Sequence, residues 1–311
     1  FLHGELKKEI YMEQPPGCET QPGLVCKLQK SLYGLRQSAR CWNEKLDDVL
    51  QSMNFKRCVA DPCVYVKETK GGLTYCLVYV DDILYFSHGE EDEREFHNSL
   101  KQHVVTKSLG PVSHYLGTEV IRGSDGSFVL KQEGKIKQIL AECGMSECKA
   151  VGTPMTTSFQ QETTETACEN PARYRHIIGQ LQYLVKVTRP DICNAVSILS
   201  RKVEQPTETD WQGIKRVLRY LQGTSSKGLV LSSSKHGSMC CYVDADHAGD
   251  PSSRKSTTGV VILLYDSVID WCSKRQTIVA TSSSEAEYIA LSLVCNELTW
   301  FDHLLFEIGN K

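Results

Sequence analysis

Two hydrophobic rhythms alternate along the chain. Glu9 to Met12 and Val25 to Leu28 read as short strands separated by a Pro15-Pro16-Gly17 turn. Trp42, Leu46, Val49, Leu50 and Met53 then recur at three- and four-residue intervals, which predicts a helix over Arg40 to Met53. The period falls to two over Cys63 to Val66 and Leu73 to Val80, and Ile83 to Phe86 resumes it after two polar residues. That pattern predicts a tight hairpin with Asp81-Asp82 at its tip. An acidic helix near Glu90, a hairpin at Gly123 to Gly126 and an amphipathic helix over Lys135 to Cys143 follow. Thr153-Pro154 to about Asn170 is polar and aperiodic, so a linker is expected there. Residues 172 to 203 predict two helices around Thr188-Arg189-Pro190-Asp191, and Trp211 to Leu221 a third that stops at Gly223. Leu229 to Leu231, Met239 to Val243, Val260 to Leu264 and Val268 to Trp271 predict four strands, mostly antiparallel. A helix carrying Ile289, Leu291, Leu293, Val294 and Leu298 closes the pattern.

A length of 311 residues is enough for two domains. The chain opens on Phe1 and closes on Gly309-Asn310-Lys311, and both ends are expected to have been cut from something longer. Fourteen cysteines are scattered with no Cys-x-x-Cys pair, which favours reduced thiols over a disulfide framework or a zinc site. No charged-then-apolar leader occurs, and no apolar run reaches the ~18 residues that span a bilayer, so an intracellular, membrane-free protein is expected. A net charge of -3 excludes a uniformly basic nucleic-acid binder but not a local stripe. Candidate stripes are Arg36, Arg40 and Lys45, then Lys215, Arg216 and Arg219, then Arg254, Lys255, Lys274 and Arg275. Solvated faces are the competing account of each.

Asp81 and Asp82 set like charges side by side between apolar strands, and a divalent cation would relieve them. Magnesium is hard and prefers carboxylate oxygen, and two such ions can clamp the attacking and leaving oxygens of a phosphoryl transfer. Aspartate is also an ordinary turn residue, and spacing alone leaves both readings open. Tyr79-Val80-Asp81-Asp82 resembles the Tyr-x-Asp-Asp motif of reverse transcriptases. Phe1-Leu2-His3-Gly4, Glu9 to Pro15, Ser31-Leu32-Tyr33-Gly34-Leu35-Arg36-Gln37 and Tyr115 to Val120 are similar to successive copia-type reverse transcriptase blocks in order. The resemblance implies that Asp81 is the principal metal ligand and Asp82 its partner. Tyr79 and Val80 would lie near primer terminus and template, and Gln37 would contact the incoming nucleotide. Arg36 and Arg40 would hold template or triphosphate, with a structural salt bridge as the rival role for either. Ala39 stands where the family commonly has proline. A third family carboxylate is expected before Phe1, so the 311 residues alone are expected not to polymerise.

Asp244-Ala245-Asp246-His247-Ala248-Gly249-Asp250 forms an acidic cluster at a strand end, and Glu285 and Glu287 open the last helix. Ser284-Glu285-Ala286-Glu287 fits a capping box, which is the structural account of those glutamates. Tyr242 to Asp246, Arg254 to Gly259, Trp271 to Gln276 and Ser282 to Tyr288 resemble the copia-type ribonuclease H, in order. The resemblance implies Asp244 and Glu287 as metal ligands, with Glu285 the alternative to the latter, for two-metal hydrolysis of RNA in a hybrid. His247 stands where the family usually shows tryptophan. A further family carboxylate is expected beyond Lys311, so this region is expected to be inactive alone. Arg189 and Asp191 read as capping and salt-bridge residues.

The fold class expected is α+β: a reverse transcriptase palm and fingers of antiparallel sheet with helices, a helical connection, then a partial ribonuclease H-like α/β domain. Their spans are 1–155, 156–227 and 228–311. The function implied is RNA-directed DNA polymerase with ribonuclease H, present as a fragment of a copia-type retrotransposon polyprotein. The alternatives are a noncatalytic nucleic-acid-binding relic and an intact host protein on the same folds. Implied partners are magnesium ions, RNA template, DNA primer, RNA–DNA hybrid, deoxynucleoside triphosphates and the rest of the polyprotein, with integrase upstream. A cytoplasmic virus-like particle is the implied location.

Overall fold

A computed structural model describes residues 1–21, 23–159, 166–232, 234 and 237–309. It is a mixed α+β structure with four antiparallel sheets among the described residues. The chain divides into two compact units, Phe1–Gly110 with Glu297–Lys311, and Pro111–Asn296. The linker expected from Thr153 to about Asn170 falls partly on residues 160–165, outside the described residues.

In the first unit, β1 (Glu5–Glu13) and β2 (Val25–Lys30) form a two-stranded ribbon with Ile10 opposite Leu28. Helix α1 (Ser38–Ser52) buries Trp42, Leu46, Val49 and Leu50 on one stripe, as their spacing dictates. A four-stranded sheet follows, in order β3 (Lys56–Arg57), β4 (Val64–Thr69), β5 (Gly72–Tyr79) and β6 (Asp82–Phe86). Helix α2 (Glu90–His103) carries Glu90, Glu91, Asp92 and Glu93 in its first turn and Lys101 and His103 in its last, matching the helix dipole at both ends. The core joins the α1 stripe to Phe55, Tyr65, Cys76, Val78, Phe96 and Leu100. Tyr85 stacks on Phe96 at 4.1 Å.

The end of the last helix, α7 (Ser283–Glu307), belongs to this unit. Trp300 donates its indole N–H to the Ala60 carbonyl at 2.8 Å. Glu307 accepts from the amides of Val59 at 3.0 Å and Ala60 at 2.9 Å.

In the second unit, β7 (His114–Tyr115), β8 (Thr118–Arg122), β9 (Phe128–Lys131) and β10 (Leu229–Leu231) form one sheet in the order β10-β9-β8-β7. The β7–β8 turn places Leu116 and Gly117 at positive φ, and Tyr183 donates to the Leu116 carbonyl. Helices α3 (Glu133–Glu142), α4 (Pro171–Val187), α5 (Cys193–Ser200) and α6 (Glu208–Gly223) enclose a core that includes Ile136, Leu140, Ile177, Leu181, Leu184, Leu199, Ile214 and Leu218. Their starts are capped by chemistry. Asn170 accepts from the Arg173 amide with Pro171 opening α4, and Thr207 and Asp210 form a reciprocal capping box on α6. Arg189, almost fully buried, sends a fork to both oxygens of Asp191 and reaches Thr224, the salt-bridge role expected of it.

The third sheet region differs from the four strands expected. It has three, in order β11 (Met239–Asp246), β12 (Thr257–Leu264) and β13 (Ser267–Arg275), because β10 pairs with β9 instead, Leu229 opposite Leu130. Alternation along a strand identifies a half-buried strand but not its neighbour. Ala245, Ala280, Ala286 and Ala290 make the small core under α7.

Candidate functional site

The alternation of β5 sets up the acidic turn. Thr74, Cys76 and Val78 are buried on one face, and Tyr79 ends the strand exposed. Tyr79 pairs with Asp82, so the tip is Val80-Asp81 and Asp82 is the first residue of β6. The expected tip was one residue later. A two-residue loop with positive φ at its first position ordinarily takes glycine there. Here Val80 holds φ 57°, in the left-handed region that a β-branched side chain disfavours.

Two hydrogen bonds fasten that turn. Trp42, on the buried stripe of α1, donates Nε1–H to the Val80 carbonyl at 2.5 Å. Tyr33 donates its O–H to Asp81 Oδ2 at 2.7 Å, and that bond pushes the Tyr33 phenol above its ordinary pKa. The Tyr33 ring stacks on Phe1 at 4.2 Å and 10°.

The remaining residues of the predicted set are dispersed around α1. Gln37 is the N-cap position of that helix, its carbonyl accepting from the Cys41 amide at 3.0 Å. Arg36 is exposed. Arg40 pairs with Glu44 at 2.9 Å, and Glu44 also accepts from Lys7 at 2.6 Å. The Lys7 and Arg40 hydrogen bonds hold the Glu44 carboxyl below its usual range. Tyr79 and Val80 are 57% and 44% exposed, open to a partner molecule. The structure thus brings Tyr33, Trp42, Val80 and Asp81 together, and sets Arg40 on Glu44. Neither Tyr33 nor Trp42 was singled out from sequence. Tyr33 lies inside the Ser31 to Gln37 block, and the helical period marks Trp42 only as an apolar position.

In the second unit, Asp244 is exposed on β11 opposite Gly259 of β12. Asp246 accepts from the Thr257 amide. Asp250 is buried and receives Arg275 at 2.6 Å, Arg201 at 3.3 Å and the Ser252 hydroxyl at 2.7 Å. Burial pushes its carboxyl up, but the Ser252 and Arg275 hydrogen bonds outweigh that and hold it well below the carboxylate range. His247 is exposed.

The helix cap also lies off its expected frame. The Glu285 amide donates to Ser282 Oγ at 3.1 Å, and the Glu285 carboxylate accepts from Thr281 N and Oγ1, both at 2.6 Å. The Thr281 hydroxyl and amide bonds lower the Glu285 pKa. The cap therefore uses Ser282 and Glu285, two residues before the Ser284–Glu287 frame. Glu287 stands one position past Ala286, half-buried.

The donor set of both places is carboxylate oxygen, which suits a hard divalent cation. The first place offers two carboxylates adjacent in the chain, Asp81 and Asp82. Among the described residues, no group of three or more His, Cys, Asp or Glu side chains converges to hold a metal ion.

Residues 1–157 match the family described as reverse transcriptase (RNA-dependent DNA polymerase). The whole chain is similar to the retrovirus-related Pol polyprotein from transposon TNT 1-94 of Nicotiana tabacum, 38% identical over 99% of this chain and 24% of that protein. It is 39% identical to the polyprotein from transposon RE1 of Arabidopsis thaliana, over 99% of this chain and 21% of that protein. A transposon Ty5-1 protein of Saccharomyces cerevisiae is 32% identical over 96% of this chain and 98% of its own length. The chain thus spans less than a quarter of the two plant polyproteins, yet nearly all of the yeast protein. It belongs to the reverse transcriptase region of copia-type retrotransposon Pol polyproteins.

Proposed function

We propose that this chain carries the RNA-directed DNA polymerase acidic turn of a retrotransposon polyprotein, followed by a ribonuclease H-like region. The proposed spans are 1–155 for the polymerase part, 156–227 for the helical connection and 228–311 for the ribonuclease H-like part. The observation that supports the reading best is the Val80-Asp81 hairpin tip, with Asp82 opening the next strand, inside the segment that matches the reverse transcriptase family.

Reverse transcriptases use magnesium, and Asp81 and Asp82 would hold it here. The metal supplies Lewis-acid charge that steadies phosphoryl transfer. The chain's own residues do the rest. Tyr79 and Val80, exposed beside the carboxylates, would meet the primer terminus and template; Gln37, at the start of α1, would meet the incoming deoxynucleoside triphosphate. Arg36 is available for a phosphate, whereas Arg40 would have to leave Glu44 to reach one. In the later region Asp244 and Glu287 would take the metal ions for hydrolysis of RNA in an RNA–DNA hybrid. The engagement of Glu285 in the helix cap supports Glu287 over Glu285. Integrase and the remaining polyprotein are the proposed covalent partners, in a cytoplasmic virus-like particle. No helix among the described residues is long and apolar enough to cross a membrane.

A primer–template whose DNA 3′ end carries a photoreactive nucleotide tests the polymerase reading without requiring turnover. Crosslinks at Tyr79 to Asp82 are expected; crosslinks confined to other segments overturn it. The 311 residues on their own are proposed to bind the metal weakly and extend no primer, since the family resemblance implies a further carboxylate besides the two that this turn supplies. Magnesium-dependent extension by the purified chain would refute that part.

A further inference from the structure

Two side chains outside the predicted set reach the acidic turn, and they act on different atoms. Val80 sits at φ 57°, a conformation that a β-branched residue keeps only where the surroundings over-determine it. Trp42 supplies that determination. Its indole, 5% exposed among the core residues of α1, has one donor, and a buried donor requires an acceptor. The Val80 carbonyl is that acceptor, so a core side chain of the helix fixes the backbone of the turn.

Tyr33 acts one residue further on. Its ring is 63% exposed and stacks on Phe1, so it contributes little to the core. Its hydroxyl fixes one oxygen of Asp81. A carboxylate has about four lone-pair directions, so a single phenol bond orients the group and leaves lone pairs for a cation.

We propose that Tyr33 and Trp42 are positioning residues for the metal-binding carboxylates, Trp42 through the Val80 carbonyl and Tyr33 through Asp81 Oδ2. The proposal rests on the reading of Asp81 as a magnesium ligand. Side chains that hydrogen-bond a ligating carboxylate typically account for 10- to 100-fold in metal affinity, so loss of the phenol O–H lowers affinity by about tenfold.

The test is Mn2+ binding to the full chain, followed by water-proton relaxation, with thermal melting in parallel. An Asp244→Asn background removes the carboxylate proposed as a metal ligand in the later region. Tyr33→Phe keeps the ring and its stack, so melting stays unchanged while Mn2+ affinity falls about tenfold. Trp42→Phe lowers both. Unchanged Mn2+ affinity in Tyr33→Phe overturns the role of Tyr33, and a Trp42→Phe chain that melts earlier but binds Mn2+ as before leaves Trp42 a packing residue only. Asp81→Asn separates the two levels. If it weakens Mn2+ binding while Tyr33→Phe does not, positioning fails and the ligand reading stands; if it too has no effect, both fall.

Discussion

The indole of Trp42 is hydrogen-bonded at 2.5 Å to the carbonyl of Val80, 38 residues away, at a hairpin position where valine is strained. Glycine adopts that φ at no steric cost. Val80→Gly is therefore expected to raise the stability of the first unit by about 1 kcal/mol, within the strain range for such a residue. Denaturant melts of the two proteins check this, and a loss of stability would show that packing of the valine side chain outweighs its strain.

Asp250 accepts from both Arg201 and Arg275. Replacing it by asparagine leaves the mostly buried Arg201 and the part-exposed Arg275 without their carboxylate, a loss that solvent screening at Arg275 keeps below the roughly 3–5 kcal/mol of a fully buried pair. The pH dependence has a definite sign. The folded pKa of Asp250 lies below its unfolded value, so its contribution is present above the ordinary aspartate pKa of about 3.9 and is lost as pH falls toward the folded pKa. Melts at descending pH should show the parent converging on Asp250→Asn; a constant gap between them down to the lowest pH would contradict the assignment.

Glu285 and Glu287 are expected to separate by what each change damages. Glu285→Ala removes the carboxylate from Thr281 and lowers the melting temperature, as weakening a helix start does. Glu287→Gln leaves the cap in place and the melting curve unchanged. Equal destabilisation by the two would place Glu287 in the cap as well.

Thiol reactivity follows burial. Burial pushes the Cys76 thiol up to about 12, whereas Cys18, Cys240 and Cys295 are exposed. Thiolate is the reactive form, so peptide mass spectrometry after iodoacetamide at about pH 8, close to an ordinary thiol pKa, should find Cys76 modified only as the chain unfolds. Early modification of Cys76 in the folded chain would mean that the sheet around it opens readily.

Much of this was legible from the sequence because it depends on local period. The stripe Trp42, Leu46, Val49, Leu50 gave α1 its register and its buried face. The same reasoning concealed the second use of Trp42, since periodicity counts an indole as apolar area and ignores its N–H. The partner of β10 was hidden for a related reason: alternation at Leu229 to Leu231 names a face but not the strand beside it. Ser282 to Glu285 and Ser284 to Glu287 both read as Ser-x-x-Glu, and only the observed start of α7 at Ser283 decides between them. The acidic turn was found from its motif, yet its tip moved by one residue because valine took a position that turn preferences assign to glycine.

The anchoring of Trp300 and Glu307 to Ala60 and Val59 has a consequence in time. The first unit is discontinuous, its last part separated from its first by the whole of Pro111–Asn296. At ribosomal rates of about 5–20 residues per second, those intervening residues take on the order of 10 to 40 s to make. Throughout that interval the amides of Val59 and Ala60 lack the Glu307 carboxylate and the Ala60 carbonyl lacks the Trp300 indole, so these bonds of the β3–β4 corner form only after the last helix is made.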